Sequence, residues 1–336
     1  MSNKNSINMK FISEKMGVNV STVSRALNND PAISQELKAK IIEFSNKHGY
    51  KKRKSKVDHL LYIIDKNFFS STSQFYNRII EGIEEESKKY NLIFNFNALN
   101  SDKYTAENLN INFNKVAGVI ITGSYHDDFI IEIKKMNIPI VLVDYYLPTE
   151  NINSILIDNI DGIIIGIKYL SSLGHKKIGY LTGDYKNDIG SNDRFLGYLR
   201  AVEMFGLDKN DSLIINCDFS ITSAYESMKS FLQNNKSYPT ALMAVNDMVA
   251  IGAMEAIKEF GSKIPNDISI LGFDDIALSN EIIPKLSTMH VKKKTMGRLV
   301  VKKLVKILGN EDLEFTKTIL SPELLIREST LEPFIK

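Results

Sequence analysis

The chain has 336 residues, 43% of them hydrophobic and 24% charged, with 42 Lys or Arg, 40 Asp or Glu and a single Cys. That length argues for more than one domain, the composition is that of a globular protein, and a lone Cys217 excludes internal disulfides and any Cys-built metal site. The net charge of +2 hides an asymmetry: residues 1–57 hold 12 Lys or Arg against 4 Asp or Glu, whereas the rest holds 30 against 36.

A small basic head on a mildly acidic body is expected to meet a polyanion. There is no apolar run long enough to span a bilayer, and "MSNKNSINMKFISEKMGVNV" has no apolar export core. The expected address is therefore the cytoplasm, with no membrane partner.

Apolar residues of the head recur at helical spacing in three stripes: Phe11, Ile12 and Met16; Val20, Val23, Ala26 and Leu27; Leu37, Ile41, Ile42 and Phe44. Asn8, Asn19 and Ser34 stand where N-caps belong, and Gly17 falls where a tight turn needs unusual backbone angles. Two short helices joined by such a turn and closed by a third form a helix-turn-helix pattern. The second helix, "VSTVSRAL", carries an unusual load of hydroxyls beside one guanidinium. Hydroxyl residues cap helices better than they fill them, so this load suggests a helix lying in a major groove. There Ser21, Thr22 and Ser24 would bond phosphate oxygens, Arg25 would address a guanine, and Val20 would press on a thymine methyl. A small helical bundle with a polar surface shares the same spacing.

The stretch "ISEKMGVNVSTVSRALNNDPAISQELKAKIIEFSNKHGY" resembles the DNA-binding head of the LacI/GalR family of bacterial repressors, above all in its STVSRALN core and closing GY. The resemblance implies that Val20 and Ser21 discriminate the operator and that Arg25 adds a base contact. Thr22, Ser24 and Asn28 would hold the sugar-phosphate backbone. The next stretch, "KKRKSKV", departs from the family: it lacks the Pro-Asn start and the hinge-helix motif. A basic strap along phosphates and a plain charged linker are the two readings of residues 51–57.

From residue 59, apolar runs alternate with helix-length amphipathic segments such as 75–90, 161–173, 192–205, 221–234 and 247–260. The runs are LLYIID, LIFNFNAL, GVIITG, IPIVLVD, SILID, KIGYLTG, SLIIN, ALMAV and ISILGFDD. This pattern predicts layered α/β architecture with parallel sheets, in two units rather than one. Asp65, Asp144, Asp247 and Asp274 close several runs, at the carboxyl ends where ligand sites of open α/β sheets gather.

The body also resembles the family, in YLSSLGHKKIGYLTG, SNDRFLGYLRA, PTALMAVNDMVAIGAMEAIKEFG, IPNDISILGFDD and PKLSTMHVKKKTMG. The implied fold is a two-lobed, periplasmic-binding-protein-like core of two Rossmann-like parallel-sheet subdomains behind a small all-α head. Expected boundaries are 1–50 for the head, 51–57 for the linker and 58–336 for the effector-binding and dimerisation domain. Lobe one would take about 58–158 and 290–318, lobe two about 159–289 and 319–336.

A sugar offers directed hydroxyls and apolar C–H faces, which carboxylates, amides, a guanidinium and aromatic rings can read. Asp144, Arg194, Asn246 and Asp274 are the polar candidates, each matching a family effector contact. Phe75 and Tyr76, placed after a loop that follows the first strand, are the ring candidates. Asp247 is expected to cap its helix, and His175 to serve a structural turn.

An enzyme is not expected. No G-x-G-x-x-G, P-loop or G-x-S-x-G motif appears, and His48, His59, His126, His175 and His290 share no metal-ligand spacing. Neither cofactor nor metal is implied. The reading is a dimeric, ligand-responsive repressor of sugar-utilisation genes, with double-stranded operator DNA and a small sugar as partners. The short basic join also resembles a galactoside-associated subgroup. The alternative is a cytoplasmic sugar sensor that acts through protein partners.

Overall fold

The computed structural model describes residues 8–27, 30, 33–48, 50, 59–99, 111, 113–123, 127–183, 188–235, 238–311 and 314–333. The chain divides into two compact units, Met1–Asp58 with Asn112–Lys115, and His59–Ile111 with Val116–Lys336. The linker 51–57 and Asn28 lie outside the described residues.

The head contains α1 (Met9–Met16), α2 (Val20–Leu27) and α3 (Gln35–Lys47). Asn8 caps α1 by accepting the Phe11 N–H at 2.9 Å, and Ser34 caps α3 by accepting the Leu37 N–H at 3.4 Å. Asn19 precedes α2, where its backbone carbonyl accepts the Thr22 and Val23 N–H groups. Gly17 ends α1 at φ +66°, the left-handed position that admits glycine without a Cβ penalty. Ile12, Val23, Ala26 and Ile41 make the core, with Leu37, Phe44 and the closing Tyr50 packed against it. Ile42 does not join them: it is 42% exposed, and Lys38 and Ser45 take the buried positions flanking Ile41 on α3.

In the body the chain runs β1 (His59–Asp65), α4 (Lys66–Lys89), β2 (Ile93–Leu99), β3 (Val116–Thr122), α5 (Asp127–Lys135), β4 (Ile140–Val143) and β5 (Asn153–Ile157). It continues through α6 (Asn159–Ser172), β6 (Ile178–Leu181), α7 (Ile189–Met204), β7 (Ile214–Ile215), α8 (Ile221–Asn234), β8 (Ala241–Ala244), α9 (Asp247–Glu259) and β9 (Ser269–Asp274). It ends with β10 (Ser287–His290), α10 (Lys293–Leu308), β11 (Lys317–Leu320) and β12 (Glu323–Leu325).

Two six-stranded sheets result, ordered β11-β5-β4-β3-β1-β2 and β12-β10-β9-β8-β6-β7. All pairings are parallel except β10 with β12. The chain crosses between sheets after β5, after β10 and after β11, so each lobe takes segments from separate parts of the sequence. β11 pairs Ile319 with Leu156 and Leu320 with Ile157, which carries the first sheet past the 318 boundary. His290 pairs with Asp274 and Glu323 in the second sheet, so the return to lobe one falls after it.

The centres of both sheets are buried runs of Ile, Leu and Val, as strands covered on both faces require. α4 and α10 approach backbone to backbone at two glycines: a Cβ on Gly82 would sit 2.2 Å from the Lys294 carbonyl oxygen, and one on Gly297 2.1 Å from that of Ile79. Lys294 to Glu81 and Glu85, and Arg298 to Glu85, are exposed ion pairs flanking this contact.

Candidate functional site

α2 turns Val23 and Ala26 into the head core and leaves Val20, Ser21 and Arg25 exposed, with Thr22 and Ser24 partly so. One face therefore carries an apolar methyl pair, three hydroxyls and a guanidinium. Arg25 is 63% exposed and stands 3.8 Å from Asp30, an open ion pair of little energetic weight. Its fork remains available to a bidentate acceptor.

In the body, the six residues singled out for effector contact line a single cleft between the lobes: Phe75 and Tyr76 from α4, Asp144 after β4, Arg194 from α7, Asn246 after β8 and Asp274 at the end of β9. Thr72, Asp188, Gly190, Ser191, Phe219 and Val245 complete the lining, and the space amounts to ≈ 510 Å³, part of it open solvent.

Arg194 organises the cleft. Its Nε donates to Asn159 Oδ1 at 2.8 Å, Nη1 to the Val245 carbonyl at 2.7 Å and Nη2 to Asp274 Oδ1 at 3.2 Å. Its guanidinium lies 3.9 Å from the centroid of the Phe273 ring. Burial opposes this charge, but Asp274 and Asp144 outweigh burial and hold the Arg194 pKa above its ordinary value. Burial raises the Asp274 carboxyl against the pull of Arg194 and Lys293.

Across the cleft, the Tyr76 hydroxyl donates to Asp144 Oδ2 at 2.9 Å. Burial pushes Asp144 up to about 7; Arg194 partly offsets it and Asp188 reinforces it. The Phe75 and Tyr76 rings meet edge to face at 4.9 Å, offering an apolar wall. Asp144 and Asp274 have φ of +55° and +105°, backbone regions that non-glycine residues occupy when the surroundings over-determine them, often at ligand sites.

Phe75 and Tyr76 do not follow a loop. α4 starts at Lys66, directly after β1, so both sit well inside a helix. Nor does Asp247 cap α9. That cap is Asn246, whose Oδ1 accepts the Val249 N–H at 2.9 Å. Asp247 is instead fully buried, accepting from Thr288 Oγ1 at 2.6 Å and from the Ile276 N–H at 2.8 Å, and so pins the turn after β9. His175 ties Thr240 to the Leu331 carbonyl at 2.9 and 2.8 Å, a structural role. Cys217 Sγ donates to the Thr182 carbonyl.

Six lining residues had no forewarning in the sequence, Asp188 and Ser191 among them. Asp188 caps α7, its Oδ1 accepting the Ser191 N–H at 2.7 Å. Ser191 lines the cleft, and its hydroxyl is buried with no partner among the described residues. The signal available was the Asp-x-x-Ser spacing of a helix start just upstream of Arg194. Among the described residues no group of acidic, His or Cys side chains could hold a metal ion, and no helix is long and apolar enough to cross a membrane.

A helix-turn-helix head followed by a two-lobed α/β body with a polar interlobe cleft defines a class of ligand-responsive DNA-binding protein. Residues 8–52 match the model of the bacterial regulatory proteins of the lacI family, and residues 167–330 that of the periplasmic binding protein-like domain. The ribose operon repressor of Haemophilus influenzae is 28% identical over 333 residues, covering 96% of this chain and 98% of the relative. The transcriptional repressor PurR of Proteus mirabilis is 29% identical over 337 residues, covering 97% and 98%. Among solved structures, the regulator CelR in complex with cellobiose superposes at a TM-score of 0.74 with 22% identity, covering 96% of this chain and 99% of that one. The lac repressor dimer bound to operator and an anti-inducer gives 0.72 with 23% identity, covering 97% and 100%. The head therefore matches the lacI family of bacterial regulatory proteins, the body matches the periplasmic binding protein-like domain, and relatives along almost the whole chain are named transcriptional repressors.

Proposed function

We propose that the chain is a homodimeric cytoplasmic repressor of sugar-utilisation genes, whose hold on a near-palindromic operator is set by a small sugar bound between the lobes. The domain division is 1–50 for the head, 51–57 for the linker and 58–336 for the body. Val20, Ser21 and Arg25 would read base edges, while Thr22, Ser24 and Asn28 would contact the backbone. Phe75, Tyr76, Asp144, Arg194, Asn246 and Asp274 would bind the sugar. One observation carries the effector half of this reading: six residues from five separate segments converge on one cleft, with aromatic rings on one side and hydrogen-bonding groups on the other. The exposed face of α2 supports the DNA half. The relative named for the ribose operon, and the cellobiose complex of a structural neighbour, agree with a small-molecule effector. Galactosides are the first sugars to titrate.

The mechanism is a population shift: sugar in the cleft favours one arrangement of the lobes, and the dimer transmits that bias to its paired heads. The test uses fluorescence anisotropy on a duplex from the region upstream of the protein's own gene, with and without sugar. Arg25→Ala is expected to lose roughly 1–3 kcal/mol of specific binding while keeping sugar affinity. Asp274→Asn is expected to retain the duplex but lose the response to sugar. Indifference of the wild-type protein to the duplex at low ionic strength would dismiss the regulator reading.

A further inference from the structure

The features that attract anions in α/β proteins are already neutralised in this cleft. Two helix N-termini face it, and such termini with their exposed N–H groups are ready-made phosphate and carboxylate sites. That of α7 is occupied by the chain's own carboxylate, with Asp188 Oδ1 on the Ser191 N–H at 2.7 Å. That of α9 is closed by Asn246 Oδ1 on the Val249 N–H, with the fully buried Asp247 in its first turn. The guanidinium is committed as well: three of its five N–H donors go to Asn159, Val245 and Asp274, the last as an ion pair. Three carboxylates, Asp144, Asp188 and Asp274, then line the cleft against one arginine among the described residues. An incoming phosphate or carboxylate would find acceptor oxygens rather than donors, helix ends already capped and a guanidinium already committed to Asn159, Val245 and Asp274.

We infer that the cleft selects a ligand without anionic groups, an unphosphorylated polyol or sugar whose hydroxyls donate to the carboxylates of Asp144, Asp188 and Asp274. Donors are what a carboxylate-lined site lacks, and each sugar hydroxyl carries one. The buried Ser191 hydroxyl supplies a further partner. This deepens the sugar reading and rests on it: it separates free sugars from sugar phosphates and uronic acids, which share the same ring.

The experiment is a matched set titrated calorimetrically against the full chain: galactose, galactose 6-phosphate and galacturonate; glucose, glucose 6-phosphate and glucuronate; ribose and ribose 5-phosphate. Each neutral sugar that binds is expected to bind at least about tenfold tighter than its anionic derivatives, a modest discrimination for a site that leaves an anion's oxygens without free donors. Asp188→Asn, which keeps a good helix cap, is expected to narrow that ratio severalfold, with the fold checked by circular dichroism. An anionic derivative that binds as tightly as its parent would overturn the inference while leaving the sugar-sensor reading intact. Failure of every compound in the set to bind would remove the sugar reading, and this inference with it.

Discussion

Arg194 shows how much one side chain settles at this site. A lysine would keep the charge yet could not form the planar fork that reaches Asn159, Val245 and Asp274 together. Arg194→Lys is therefore expected to lower sugar affinity by about tenfold or more, measured calorimetrically, since a misplaced Asp274 loses its orientation. Asp144 and Asp247, pushed up to about 7 and about 8 chiefly by burial, make stability pH-dependent. The folded chain keeps protons that the unfolded chain releases near pH 4, so this contribution is full at low pH and declines as pH rises through about 7 and 8. The melting temperature of Asp144→Asn should accordingly fall less than that of the wild type between about pH 5 and 8. A parallel pair of curves would show that Asp144 does not titrate there. At this scale the polar candidates were legible because each closes an apolar run or sits in a helix of distinctive motif. Asp188 and Ser191 were not, because a capping residue looks alike whether or not its helix opens on a cleft.

Elements with one strong local signal were readable, and those defined by a distant partner were not. The central strands announce themselves as unbroken apolar runs, whereas β10, β11 and β12 have only 4, 4 and 3 residues, and β11 and β12 are largely unburied. Their identity comes from which edge the crossing chain reaches. α4 begins nine residues before the 75–90 segment, and that start is hidden in the sequence because "KNFFSSTSQ" is rich in Ser, Thr and Asn, which locally favour turns. Tertiary packing overrides them. Packing also explains two glycines that no periodicity would single out. At the α4–α10 crossing, the atoms nearest a new Cβ on Gly82 or Gly297 are backbone, which cannot rotate aside. Gly297→Ala is expected to destabilise the body by about 1–3 kcal/mol, read from urea denaturation. Gly206→Ala, which has nothing within 4 Å but a φ of +58°, measures backbone strain without a clash.

Over the whole molecule, the surface and the energetics each carry a consequence. Ile283 is 80% exposed, and its carbonyl takes the Lys258 ammonium near the end of α9, where Phe260 is 45% exposed. Such apolar exposure supports the proposed dimer, and Ile283→Asp is expected to shift the mass measured by light scattering toward the monomer. The two units differ sharply in core size: among the described residues the head's fully buried apolar side chains are Ile12, Val23, Ala26 and Ile41, whereas the body buries the central strands of both sheets. Small cores are marginal, so scanning calorimetry of the full chain should resolve a weaker head transition below that of the body. A sugar bound in the cleft stabilises only the folded body, by about 2.7 kcal/mol at a hundredfold excess over Kd. The upper transition should therefore climb with sugar concentration while the lower one stays fixed, and operator duplex should raise the lower one. If sugar moves both transitions together in the absence of DNA, head and body fold as a single unit, and binding in the cleft reaches the reading helix through stability itself.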